Sequence, residues 1–261
     1  MCLILIALNA HPDYPLVVAA NRDEYFARPT RPAGFWPEAP QLLAGQDLSA
    51  GGSWLGVTRQ GRFAALTNVR DGRRPELTDA ISRGHLVTGF LRGQATPGDY
   101  LAQLQGERYN GFNLLCGDGG QLLYHSNRQP GITSLPAGVH GVSNGTLNTP
   151  WPKLVSGKQA LADYLAHQHT LHADDLLAIL NHRQPAPEAL LPDTGVDPHW
   201  ERLLSSRFIE APAYGYGTRC STLLLQHLDG RIEFIEWDWD DQGRLSGRRD
   251  YCFTPQQTGT A

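Results

Sequence analysis

The chain has 261 residues, 41% apolar and 18% charged, with a formal net charge of −4 at pH 7. This balance suits a globular protein with a sizeable core and excludes a disordered chain. No basic patch stands out, so nucleic acid is not an expected partner, and no apolar run approaches the roughly 18 residues that cross a bilayer.

Residues 2–8 read as a continuous apolar strand, and His11-Pro12-Asp13-Tyr14-Pro15 as a turn. Residues 16–21 form a second strand, antiparallel to the first, and neither shows polar alternation, so both faces of each are expected to be covered. A Pro-rich, irregular stretch follows from Arg28 to Pro40, then a short strand from Leu42 to Ala44. The Gln60-Gly61 turn joins strands at residues 54–58 and 63–68 into a hairpin. The spacing of Leu77, Ile81, His85, Leu86, Phe90 and Leu91 predicts a helix over 78–92, with a shorter one after Pro97. Strands resume at 112–116, 122–126, 132–135 and 138–143. Helices are expected over 151–167, with Pro152 in the first turn, and over 174–181. A long loop covers 183–200, and three strands follow at 221–225, 231–237 and 247–253. Residues 255–261 are a polar tail expected to fray. The order of strands and helices predicts an α+β layered architecture of antiparallel sheets, and no linker divides residues 1–261 into more than one domain.

Cys2, Cys116, Cys220 and Cys252 form no CxxC pair and no zinc-ligand spacing. The last three read as small buried residues. The first residues lack a basic leader and a small-residue cleavage site, so the expected address is the cytoplasm. His167, His169 and His172 cluster at a helix end, but their spacing does not put all three on one face, and no metal is expected. Trp237 and Trp239 lie at strand spacing on one face, as core or helix-packing residues do.

Cys2 is different. Removal of Met1 would leave a thiol and a free α-amine on one residue. Such an amine has a pKa of about 7.7–8.0, so it can take the thiol's proton and later return it. A site of this kind also needs a group to hold the amine, donors for an oxyanion and a cation to orient substrate. Asn21, Arg22, Asp23, Glu24, Asn68, Asn144 and Arg219 supply these types at strand ends. In an extended strand Asn21 and Asp23 face one way while Arg22 and Glu24 face the other.

Several spaced motifs occur in one order: Met1-Cys2, Ala20-Asn21-Arg22-Asp23-Glu24, Arg28-Pro29, Gly52-Ser53-Trp54-Leu55-Gly56, Ala65-Leu66-Thr67-Asn68, Tyr109-Asn110-Gly111-Phe112-Asn113-Leu114, Ser143-Asn144, Thr149-Pro150-Trp151 with Lys153, and Gly215-Tyr216-Gly217-Thr218-Arg219. In these the chain resembles the NRDE family, also called the transport and Golgi organisation 2 family, over nearly its whole length. More distantly it resembles the bile-salt hydrolase and penicillin V acylase group. The resemblance implies an N-terminal-nucleophile hydrolase-like fold of four layers, αββα. It also implies Cys2 as nucleophile, Arg22 beside the thiolate or substrate, Asp23 on the α-amine, Asn144 in the oxyanion hole and Arg219 in support. Asn68 is a second oxyanion candidate, and Asn21 and Glu24 are candidate substrate contacts. In the enzyme group the arginine and aspartate are spaced apart, whereas Arg22 and Asp23 are adjacent. The activity so implied is cleavage of a C–N amide bond in a small non-peptide molecule, without a cofactor. The alternative is a non-catalytic protein on the same fold that carries haem or a lipid-like ligand, because animal members are linked to secretory organisation, mitochondrial lipid metabolism and haem trafficking.

Overall fold

The computed structural model describes residues 2–255. Its strands run β1 (Cys2–Leu8), β2 (Leu16–Tyr25), β3 (Thr30–Trp36), β4 (Ala39–Asp47), β5 (Leu55–Thr58) and β6 (Phe63–Asn68). Helices α1 (Gly84–Arg92) and α2 (Pro97–Ala102) follow, then β7 (Phe112–Gly117), β8 (Leu122–Ser126), β9 (Ile132–Ser134) and β10 (Gly138–Val142). Helices α3 (Pro152–His167), α4 (Ala173–Leu180) and α5 (Pro198–Leu203) precede β11 (Glu210–Ala211), β12 (Tyr216–Gln226), β13 (Ile232–Trp239) and β14 (Leu245–Phe253). One sheet is ordered β10-β1-β2-β12-β13-β14 with β11 on β12, the other β3-β4-β5-β6-β7-β8-β9, and every pairing is antiparallel.

The apolar strands explain the layering. β1 carries CLILIAL with no polar residue, so neither of its faces can be left in water. One face sends Ile4, Ile6, Val18, Ala20 and Phe234 against Leu43, Val57, Ala65, Leu115 and Tyr124 of the second sheet. The opposite face packs Leu5, Val17, Leu223 and Trp237 under Leu154 and Leu161 of α3 and Leu176 and Leu180 of α4. On the far side, Leu66 and Leu114 lie under Leu86, Val87 and Phe90 of α1 and Leu101 of α2. The result is the four-layer αββα sandwich. A bare backbone contact fixes α1 to the second sheet: a Cβ on Gly52 would lie 2.5 Å from the Gly84 carbonyl carbon. Among the described residues no helix is long and apolar enough to cross a membrane.

The structure departs from the expected elements where side-chain pattern is a poor guide. The Pro-rich stretch forms most of the β3–β4 hairpin, because prolines on an edge strand forfeit no ladder bond. The helix expected from residue 78 begins only at Gly84. The loop expected over 183–200 contains the start of α5, capped by Asp197. Strand β12 starts at Tyr216 rather than 221, and β2 continues past residue 21 to Tyr25. Cys252 is exposed, contrary to expectation, because β14 is an edge strand open to solvent. Trp237 and Trp239 are buried under the helices. Of the tail, residues 256–261 lie outside the described residues.

Candidate active site

Because β2 runs to Tyr25, residues 21–24 sit inside a strand rather than at its end. Their alternation therefore holds. Cys2 pairs with Arg22 across β1 and β2, and Arg22 pairs with Cys220 across β2 and β12. Cross-strand partners share a face, so Cys2, Arg22 and Cys220 form one row facing the second sheet. Glu24 is on that face too, with an oxygen 3.6 Å from Arg22 and 3.9 Å from Arg28. Arg28 is held more firmly by Asp47 at 2.6 Å.

Asn21 and Asp23 occupy the opposite, helix-side face. Asn21 is fully buried, and its amide donates to the carbonyls of Leu180 (3.1 Å) and Arg207 (2.8 Å) while accepting from Ser221 at 2.6 Å. This places it as a tie between sheet and helix layer, away from the cleft described below. Asp23 accepts from Thr218 Oγ1 at 2.8 Å. The Asp23 backbone opposes the rise of the Cys2 thiol. Asp23 directly follows Arg22, the cross-strand partner of Cys2.

Cys2 opens onto a cleft of about 560 Å³, lined by Arg22, Glu24, Arg28, Asn68, Arg83 and Glu236 among others. Burial pushes the Cys2 thiol up, the Asp23 carboxylate pushes it further, and Arg22 opposes both. Burial likewise pushes Asp23 up, against the pull of Lys153, Thr218 and Arg22. A buried polar seam holds the start of β1. Ser143 Oγ donates to the Cys2 carbonyl (2.9 Å), Thr67 Oγ1 to the Ser143 carbonyl, and Asn113 Nδ2 to Thr67 Oγ1 (2.9 Å) and the Gly145 carbonyl (2.7 Å). Tyr124 completes the chain by donating to Asn113 Oδ1 at 2.6 Å. The seam joins both sheets beneath Cys2, and satisfied networks of this kind rigidify what they hold.

The two asparagines have different surroundings. Asn144 Nδ2 donates to the Asn68 carbonyl at 2.8 Å, and Asn144 lines a second cleft rather than the first. The Asn68 side chain makes no hydrogen bond among the described residues and borders both clefts. Arg219 is the bulged residue of β12, between Thr218 and Cys220. Its guanidinium donates to the carbonyls of Tyr25 (2.9 Å), Phe26 (3.3 Å) and Arg28 (3.1 Å), so it clamps the β2–β3 connection at the cleft rim.

Two titratable residues near the site escaped sequence reasoning. Lys153, in the first turn of α3, is 3% exposed, and its Nζ has no hydrogen-bond partner among the described residues. Burial lowers it to about 8, opposed by the charges of Asp23, Cys2 and Glu201. Its presence among only two lysines, beside a motif, was the available signal. Glu236 lies deeper in the first cleft, accepting from the Ala33 backbone at 2.6 Å, and burial raises it to about 7. No pattern in the sequence marked it.

The sequence profile of the family described as Transport and Golgi organisation 2 matches residues 1–241. The chain belongs to the Transport and Golgi organisation 2 family. It is 36% identical over 278 residues to the Transport and Golgi organization protein 2 homolog of Homo sapiens, covering 98% of this chain and 100% of that one. The Mus musculus homolog is 34% identical over 260 residues, covering 90% and 92% respectively. Among solved structures, this family member is similar to a Caenorhabditis elegans N-acylethanolamine-hydrolyzing acid amidase ortholog, with TM-score 0.54 and 12% identity over 86% of this chain and 92% of that one. It is also similar to a variant of the conjugated bile acid hydrolase of Clostridium perfringens, with TM-score 0.50 and 9% identity over the whole of both chains. At such identities the likeness concerns the fold: this Transport and Golgi organisation 2 family member has the N-terminal-nucleophile hydrolase fold.

Proposed function

We propose that Cys2, freed by removal of Met1, is the nucleophile of an amidohydrolase that cleaves a C–N amide bond in a small non-peptide molecule. The observation that carries this reading is the row in which Cys2 stands at the cleft beside Arg22. The α-amine of Cys2 takes the thiol proton, and the sulfur attacks the amide carbonyl, forming a C–S bond and an oxyanion. The open amide of Asn68 is the better placed oxyanion donor, with the second hydrogen of Asn144 behind it. Collapse breaks the C–N bond, and the ammonium returns its proton to the departing amine. Water, deprotonated by the same amine, then cleaves the thioester, releasing the acid and restoring the thiol. Arg22 stabilises thiolate character and orients substrate. Asp23, next to the cross-strand partner of Cys2, holds that amine.

Intact mass of the purified chain, iodoacetamide labelling of Cys2, and turnover of an N-acyl amide panel by wild type and Cys2→Ala test the reading together. The expected result is a mass lacking Met1, labelling at Cys2, and turnover that Cys2→Ala abolishes. Retention of Met1, or a processed chain with neither labelling nor turnover, sinks it. A saturable Soret shift on haem titration in that case would favour the ligand-carrier reading.

A further inference from the structure

The motif Tyr109-Asn110-Gly111-Phe112-Asn113 contains a glycine that the proposed chemistry leaves unexplained. Two guanidinium groups converge on it. Arg83 Nη1 donates to the Gly111 carbonyl at 3.1 Å. On the other side, the Arg128 guanidinium packs over Gly111: a Cβ there would lie 2.9 Å from Arg128 Nε, 3.0 Å from Val69 Cβ and 3.3 Å from Arg128 Nη2. Neither arginine has a carboxylate within 4.0 Å among the described residues. The acids of this region are otherwise engaged or stand off: Glu24 faces Arg22 and Arg28, Asp71 pairs with Arg74, and Glu201 with Arg70. Glu76 lines the same cleft without reaching ion-pair distance of either guanidinium. Arg128 Nε is a buried donor with no partner among the described residues. Two like charges packed against one backbone unit, with a donor left over, are stable when an anion supplies the missing acceptors.

The location gives that anion a role. Arg83 and Arg128 both line the second cleft, of about 510 Å³. Arg83 also lines the first cleft, and the charges that act on it are those of Glu76 first, then Cys2 and Glu24. Asn68, the open amide, borders both clefts as well.

The geometry points to an anion subsite at Arg83 and Arg128, against Gly111, that takes a carboxylate carried on the amine half of the amide substrate. The assignment of that carboxylate to a substrate rests on the hydrolase reading; the subsite itself does not need turnover. The full chain carrying Cys2→Ala is titrated by calorimetry with N-octanoylglycine and with the neutral N-octanoylglycinamide, at low and matched ionic strength. The acid is expected to bind about 10-fold tighter or more, the scale of one or two charge-assisted hydrogen bonds. Arg83→Gln and Arg128→Gln are each expected to erase that preference while leaving the circular dichroism spectrum as before. Equal affinity for acid and amide, or a preference that survives both substitutions, overturns the subsite. Sodium phosphate that binds more tightly than the acyl glycine, with the same arginine dependence, overturns the carboxylate assignment in favour of a free inorganic anion. Because Cys2→Ala cannot turn over, a failed hydrolase assay and a failed binding titration are read separately.

Discussion

Replacing Lys153 with methionine probes a buried charge that interacts with Cys2 and Asp23. Methionine keeps the unbranched stem and removes the ammonium. In the folded chain Lys153 titrates at about 8, against an ordinary value of 10.5, with burial as the main cause. Between those two values the folded state holds fewer protons than the unfolded state, so stability attributable to this group rises with pH. Below pH 8 the whole unfavourable contribution is present, on the order of 3 kcal/mol. Urea unfolding of wild type and Lys153→Met, measured from pH 7 to pH 10, should therefore show wild type gaining roughly 2–3 kcal/mol relative to the variant. Asp23 loses a compensating cation in the variant. A difference flat to within about 0.5 kcal/mol across the range would falsify the argument that Lys153 is a buried, charged ammonium at neutral pH.

Glu236 gives the mirror case. Its folded value of about 7 lies above the ordinary 4.5, so its contribution weakens as pH rises between them. Wild type should lose roughly 2–3 kcal/mol relative to Glu236→Gln between pH 4.5 and pH 8, by the same urea measurement; parallel curves would refute it. Asn21→Ala strands two carbonyls and a hydroxyl in the interior and should cost about 2–4 kcal/mol in urea, whereas a cost under about 0.5 kcal/mol would mean that the helix layer is held otherwise. Arg219→Ala removes the clamp on three carbonyls, so chymotrypsin should cut after Phe26 about 10-fold faster, and an unchanged rate would show that the connection is held by other contacts.

What the chain determines by itself is the layering and the neighbourhood of Cys2. Uninterrupted apolar runs in β1 and the first half of β2 demand cover on both faces, which is a property of composition and period alone. The alternation of Asn21, Arg22, Asp23 and Glu24 follows from strand geometry, and it is what separates Arg22 and Glu24 from Asn21 and Asp23 in the folded chain. The conversion of the Pro-rich 28–40 stretch into strands was not legible, because edge pairing is decided by what lies beside a segment. Nor were the contrasting positions of Asn68 and Asn144: residue type places both near an oxyanion, and only the fold commits one amide to a backbone carbonyl while leaving the other open. The same reason covers Arg219, Lys153 and Glu236. A guanidinium, an ammonium and a carboxyl carry no mark in sequence of whether they meet water, a partner or neither. That depends on contacts between residues far apart in the chain, which exist only once the two sheets and their helices have closed around them.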